Sequence, residues 1–176
     1  MKNQLKLITN MAIVTVAAWG LSLTTFAATS SSAAQKKEAS LSAKDKSFMK
    51  EAAKGGQMEV DMGHMAQQEG KSSDVKKIGT RMVTDHSKAN AELMAIAKTK
   101  GVDLSKEKPQ LEKLDKANFD KEYITLMVKD HEKDLSEFQA EAKNGSDPEV
   151  KAFASKTSGV IAKHLAMVKE AQAKMK

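Results

Sequence analysis

Four stretches of the chain carry apolar side chains at spacings of three and four, and each stripe is broken near its middle by one ionisable group. The spacing dictates helices with one apolar face. The interruptions pose the question of what a polar side chain does at the centre of each face. The sharpest instances are Arg81 to His86, reading RMVTDH, and its echo MVKDH at Met127 to His131.

The first helix is expected over about Ala43 to Glu69, opened by Ser42 with Asp45 as a capping-box variant. Its stripe is Phe48, Ala52, Gly55, Met62 and Ala66, with Glu59 at the centre. Gly55-Gly56 lowers helix propensity and marks either close packing or a kink. After a turn at Lys71-Ser72-Ser73, with Ser73 or Asp74 as cap, the second helix is expected over Asp74 to Thr99, stopped by Gly101. Its stripe runs Val75, Ile78, Met82, His86, Ala89, Leu93 and Ile96, so His86 is central and Asp85 lies on the flank.

The third helix is expected from Phe119 to Lys143 behind an Asn118 cap, with Tyr123, Ile124, Met127, His131, Leu135, Phe138 and Ala142 on one face. The fourth begins at Asp147-Pro148-Glu149, the favoured order of cap, proline and first-turn acid. Val150, Phe153, Thr157, Ile161, His164, Val168 and Ala171 form its face. The longest connection, Gly101 to Asn118, contains Pro109 and an amphipathic piece, Gln110 to Lys116, expected to form a short helix. No helical hairpin can bury its stripe alone, so the expected fold is an all-α four-helix bundle made of two hairpins.

Helix rise places Glu59 roughly 15 Å and His86 about 18 Å above the first hairpin's turn. If the long connection crosses back along the bundle, His131 and His164 fall about 18 and 15 Å from that same end. All four then share one layer; a simple up-down-up-down path scatters them more. An unpaired buried carboxylate is costly, so a buried Glu59 must be paired or bound to metal. Imidazole and carboxylate ligands suit zinc, iron, manganese or copper. On this reading Glu59, His86, His131 and His164 are the metal ligands, and Asp85, Asp130 or Asp134 orient the histidine N–H groups. The competing reading is a metal-free Glu–His polar core that fixes helix register. The paired Glu-x-x-His motif of di-iron carboxylate bundles is absent, which argues against oxidase or ferroxidase chemistry.

Other motifs carry less. Met58, Met62 and Met65 beside His64 offer thioethers, which favour Cu(I), but Met on that flank is ordinary packing and His64 points toward solvent. Ser47 and Ser105 each begin a Ser-x-x-Lys match without the supporting motifs of an acyl enzyme. There is no phosphate loop, no His-Glu-x-x-His and no nucleophile elbow. Without cysteine the chain has no disulfide and no thiolate ligand. The net charge of +6 is spread over mixed Lys/Glu faces, the pattern of solvated helix surface and not of a nucleic-acid groove.

The runs AAKGGQMEVDMGHMA, DVKKIGTRMVTDHSKANAEL, FDKEYITLMVKDHEKDLSEFQAEAKNGSDPEVKAFASKT and HLAM resemble the bacterial domain-of-unknown-function 4142 family over about Ala43 to Ala173. The matching positions are Glu59, Asp85, His86, His131 and His164. The resemblance implies a ferritin-like fold, export and a long crossover between the second and third helices. It implies no activity.

At the N-terminus, Lys2 and Lys6 precede an apolar Met11 to Ala18, and Thr25-Phe26-Ala27 puts small residues before a cut. Residues 1–28 therefore read as a secretory signal peptide, with an uncleaved anchor as the rival reading. Residues 29–42 read as a polar disordered tether and 43–176 as the bundle. The expected protein is periplasmic or secreted, with no spanning segment after the leader and no protein partner the sequence identifies. Three functions are carried forward: metal binding in metal handling or envelope stress, a non-enzymatic structural or interaction protein with a polar core, and a small metal-dependent enzyme with an open coordination position.

Overall fold

The computed structural model describes residues 41–175; the expected leader and nearly all of the expected tether lie outside the described residues. Four helices follow in order: α1 (Ala43–Glu69), α2 (Ser73–Thr99), α3 (Phe119–Asn144) and α4 (Pro148–Lys174). Among the described residues there is no strand, and no helix is long and apolar enough to cross a membrane. The fold is an all-α, ferritin-like four-helix bundle.

The helix ends follow local chemistry. Ser42 and Asp45 complete a reciprocal capping box at the start of α1. Ser72, one residue earlier than expected, caps α2, because its hydroxyl is the group that accepts the Val75 N–H. Gly101 takes a left-handed φ of 66° just past α2, a conformation that costs glycine nothing. Asp147 accepts the N–H groups of Glu149 and Val150 ahead of Pro148, as the sequence order requires. Asn118 precedes α3 but makes no side-chain cap bond; its amide donates instead to Asp115.

Two carboxylates set the topology. Asp120, in the first turn of α3, accepts the N–H groups of Lys71 and Ser72, each at 2.8 Å, and so ties α3 to the α1–α2 turn. Asp45, in the first turn of α1, accepts those of Ser146 and Asp147 at 2.9 and 3.1 Å, and so ties α1 to the α3–α4 turn. Each hairpin's turn is thus clasped by the other hairpin's first helix. This arrangement makes α3 run antiparallel to α1 and parallel to α2, so the chain between Lys100 and Asn118 must travel the length of the bundle.

That crossover does not carry the expected short helix. Gln110 to Lys116 has no helical turn closed along it. A stretch this short cannot repay helix nucleation by itself. Packing does not help either: Leu111 is 49% exposed, and only Leu104 near one end is fully buried, with Leu114 packing at the other.

The core consists of two apolar clusters, one toward each end. Met62, Ile78, Met82, Phe119, Tyr123, Met127 and Val168 belong to the cluster at the α1–α2 turn. Met49, Leu93, Phe138, Phe153 and Ile161 belong to the cluster at the α3–α4 turn. Between them lies the layer of Glu59, His86, His131 and His164. α1 runs unbroken through Gly55-Gly56. The Gly56 position faces the Asn90 side chain so closely that a Cβ there would collide with it.

Candidate metal centre

His86, His131 and His164 come from α2, α3 and α4, and each is the buried centre of its helix's apolar face. Their ring centroids stand 5.2 to 5.7 Å apart. One ligand nitrogen from each lies within 4.8 Å of the other two, and among the described residues these three form the group able to hold a metal ion.

Hydrogen bonds fix which nitrogen His131 and His164 offer. His131 Nδ1 lies 2.8 Å from the Met127 carbonyl oxygen. A carbonyl can only accept, so Nδ1 carries the proton and Nε2 is bare. His164 Nε2 lies 2.8 Å from Asp85 Oδ2. Asp85 is held below the ordinary carboxylate range: burial pushes it up, but hydrogen bonds from His164 and Arg81 outweigh that. An ionised Asp85 accepts, so His164 Nε2 donates and Nδ1 is bare. The bare atoms, His131 Nε2 and His164 Nδ1, are buried without a hydrogen-bond partner, and so is His86 Nε2.

The rings are neutral at physiological pH. Burial, reinforced by the neighbouring histidines, pushes His86 down to about 3. Burial and the nearby His164 push His131 down to about 4. Burial also lowers His164, against the pull of Asp85. Neutral imidazole is the form that binds a metal. A metal–nitrogen bond of about 2.0–2.1 Å puts ligand nitrogens about 3.3–3.6 Å apart, so a modest inward turn of the rings closes the site.

Glu59 is wholly buried on α1, and neither of its oxygens has a hydrogen-bond partner. It stands outside the group of three, with Oε1 3.3 Å from His131 Nδ1. Burial, and then the charges of Asp134 and Asp130, raise it well above the ordinary range. With His131 lowered as well, the two meet as neutral groups and not as an ion pair. The Tyr123 hydroxyl is a further buried group without a partner, raised by burial and by Glu59. Each such orphan costs roughly 1–3 kcal/mol. The layer therefore costs the metal-free chain stability that a bound cation can return.

The three aspartates of the sequence reading part ways. Asp85 reaches a histidine, His164, and is held from the other side by Arg81. Asp130 and Asp134 instead line a cavity of about 410 Å³ beside α1, with Asp134 over Gly55. Asp134 is raised by burial to about 6. Met58, Met62 and Met65 pack into the core cluster and His64 is exposed beside Gln67, as the sequence reading has it. Sequence reasoning missed Arg81, Tyr123 and the Met127 carbonyl. Only Arg81 left a signal, the four-residue spacing to Asp85.

The family model described as "Domain of unknown function (DUF4142)" matches residues 30–171. The chain belongs to this family. No curated protein sequence matches it. Among solved structures, it is similar to CopM in the Cu(I)-bound form, with a TM-score of 0.60 and 18% identity over 74% of this chain and 96% of that one. It is also similar to CopM in the Cu(II)-bound form, with a TM-score of 0.64 and 18% identity over 75% and 97%. At that identity the likeness speaks for the fold.

Proposed function

We propose that this DUF4142 protein is an exported metal-handling protein that binds one transition-metal ion through His86 Nε2, His131 Nε2 and His164 Nδ1. The observation that carries the reading is the convergence of three buried, neutral imidazoles, each with a nitrogen that has no hydrogen-bond partner. Glu59 completes the centre by ionising when a cation arrives and supplying negative charge beside His131. Asp85 fixes the His164 tautomer. Zinc, iron and manganese suit such ligands. Copper is the first ion to test, because the solved structures that share the fold are copper-bound forms of CopM. Export rests on the leader-like residues 1–28, and N-terminal sequencing of protein recovered from the cell envelope checks it.

Thermal unfolding with and without metal tests the site. Binding at a free concentration of 100 Kd stabilises a folded chain by about 2.7 kcal/mol, on the order of 10 °C for a domain this size. Wild type should show that gain with Cu(II), and His86→Ala should lose it. If His86→Ala destabilises equally with and without each of copper, zinc, iron and manganese, the layer is a metal-free polar core.

A further inference from the structure

Resting on that metal reading, we propose that the ion reaches the histidines through the seam between α2 and α4, and that Asp85, once Arg81 swings off it, is the side chain that first holds the ion. His86 and Asp85 line a cavity of about 140 Å³ in this seam. His164 lines an adjoining groove of about 500 Å³, and Arg81 and Lys163 border both. Two of the three histidines therefore line cavities on one side of the bundle.

Asp85 stands at the threshold. Its side chain is 20% exposed, whereas that of His164 behind it is 2% exposed. One carboxylate oxygen, Oδ2, accepts from both His164 Nε2 and Arg81 Nε. Arg81 is 57% exposed, so its guanidinium can leave into water without opening the core. While it stays, it neutralises the carboxylate and blocks the way past it. The rim adds to the barrier. Lys156 is paired with Glu92 at 2.6 Å, but Lys88 and Lys163 also border the small cavity, and of the two acids that line it Asp85 is the one bonded to a site histidine.

The opposite seam is the rival route. Asp130 and Asp134 line its cavity, but neither hydrogen-bonds a histidine, and neither His131 nor the fully buried Glu59 lines it. A cation entering there must cross a closed layer; a cation entering between α2 and α4 must only displace an exposed arginine.

The test is stopped-flow mixing of Cu(II) with the leader-less chain, followed by quenching of Tyr123, the single tyrosine, in a chain whose single tryptophan, Trp19, has gone with the leader. Arg81→Gln should load about 3–10-fold faster at low ionic strength, with the gain shrinking as salt is added. Release to a chelator should quicken as well, because the same plug is gone. Arg81→Lys keeps the charge at the rim and should load more slowly than Arg81→Gln. Asp85→Asn should load about 10-fold slower. Loading rates that ignore Arg81 and Asp85, or that fall in Asp134→Asn alone, overturn the route. Bound copper at equilibrium is measured on the same samples by elemental analysis. If wild type holds none, the metal reading itself fails and the route falls with it; stoichiometric copper with indifferent rates sinks the route only.

Discussion

Replacing Gly79 by alanine should destabilise the bundle, although alanine is the better helix former. Gly79 of α2 lies close against Gly63 of α1. A Cβ there would stand 2.6 Å from the Gly63 carbonyl oxygen and 2.8 Å from the Ala66 Cβ, against 3.4 Å for ordinary contact. The hairpin must therefore open by about 0.8 Å, since neither a backbone carbonyl nor a Cβ can rotate away. Gaps of that size forfeit a quarter to a half of each contact along the crossing. Overpacking typically costs about 1–3 kcal/mol, and the gain in helix propensity returns about 1 kcal/mol. The expected net effect is a loss of up to about 2 kcal/mol. Gly159, in the middle of α4, is the control: a Cβ there meets nothing within 4 Å, so Gly159→Ala should stabilise by up to about 1 kcal/mol. Urea unfolding of the metal-free chains reads both. A Gly79→Ala protein stabilised as much as Gly159→Ala would refute the close-crossing argument.

Other consequences can be checked alongside. Glu141 is buried beside Asp45, and burial, with a hydrogen bond to Asp45, raises it to about 7 from 4.5. The folded chain keeps that proton where the unfolded chain has lost it, so its contribution is full below pH 4.5 and fades as the pH rises through 7; Glu141→Gln should flatten this decline, which amounts to roughly 3 kcal/mol at most, in pH-resolved urea melts. Asp85→Asn should lower metal affinity about 10–100-fold by isothermal titration, because an amide no longer fixes the His164 tautomer with a charge. Lys100, only 11% exposed, bridges Asp147 at 2.8 Å and Glu149 at 2.6 Å; Lys100→Met should leave Asp147 buried without its cation and lower thermal stability, and an unchanged melting temperature would show that water replaces the bridge.

The helices were legible because their signals are local. Stripes at spacings of three and four name His86, His131 and His164 as face centres, and a face centre in a bundle must point inward. The clasp at Asp120 makes the long connection a crossover, and that puts the three at one level. Information carried by distant pairs was not legible. His164 meets Asp85 across 79 positions of sequence, and only that contact decides which of its nitrogens is bare. Glu59 reads in sequence as an equal of the histidines, but its place against His131 Nδ1 depends on how α1 rotates in the bundle. Asp45 and Glu141 continue the stripes at a spacing of three, before Phe48 and after Phe138, but the spacing does not announce that Asp45 accepts from the distant α3–α4 turn. The Gln110–Lys116 piece shows the opposite failure: its pattern is amphipathic, but the segment is too short and too little packed to coil.

The most direct measurement is the metal content of the untagged chain purified without chelator, with His131→Ala prepared in parallel. The account predicts about one transition-metal ion per wild-type chain and a near-complete loss in the variant. Wild-type protein that stays empty after incubation with copper, zinc, iron and manganese in turn would contradict it, and would leave the three histidines as a polar seam between two apolar half-cores.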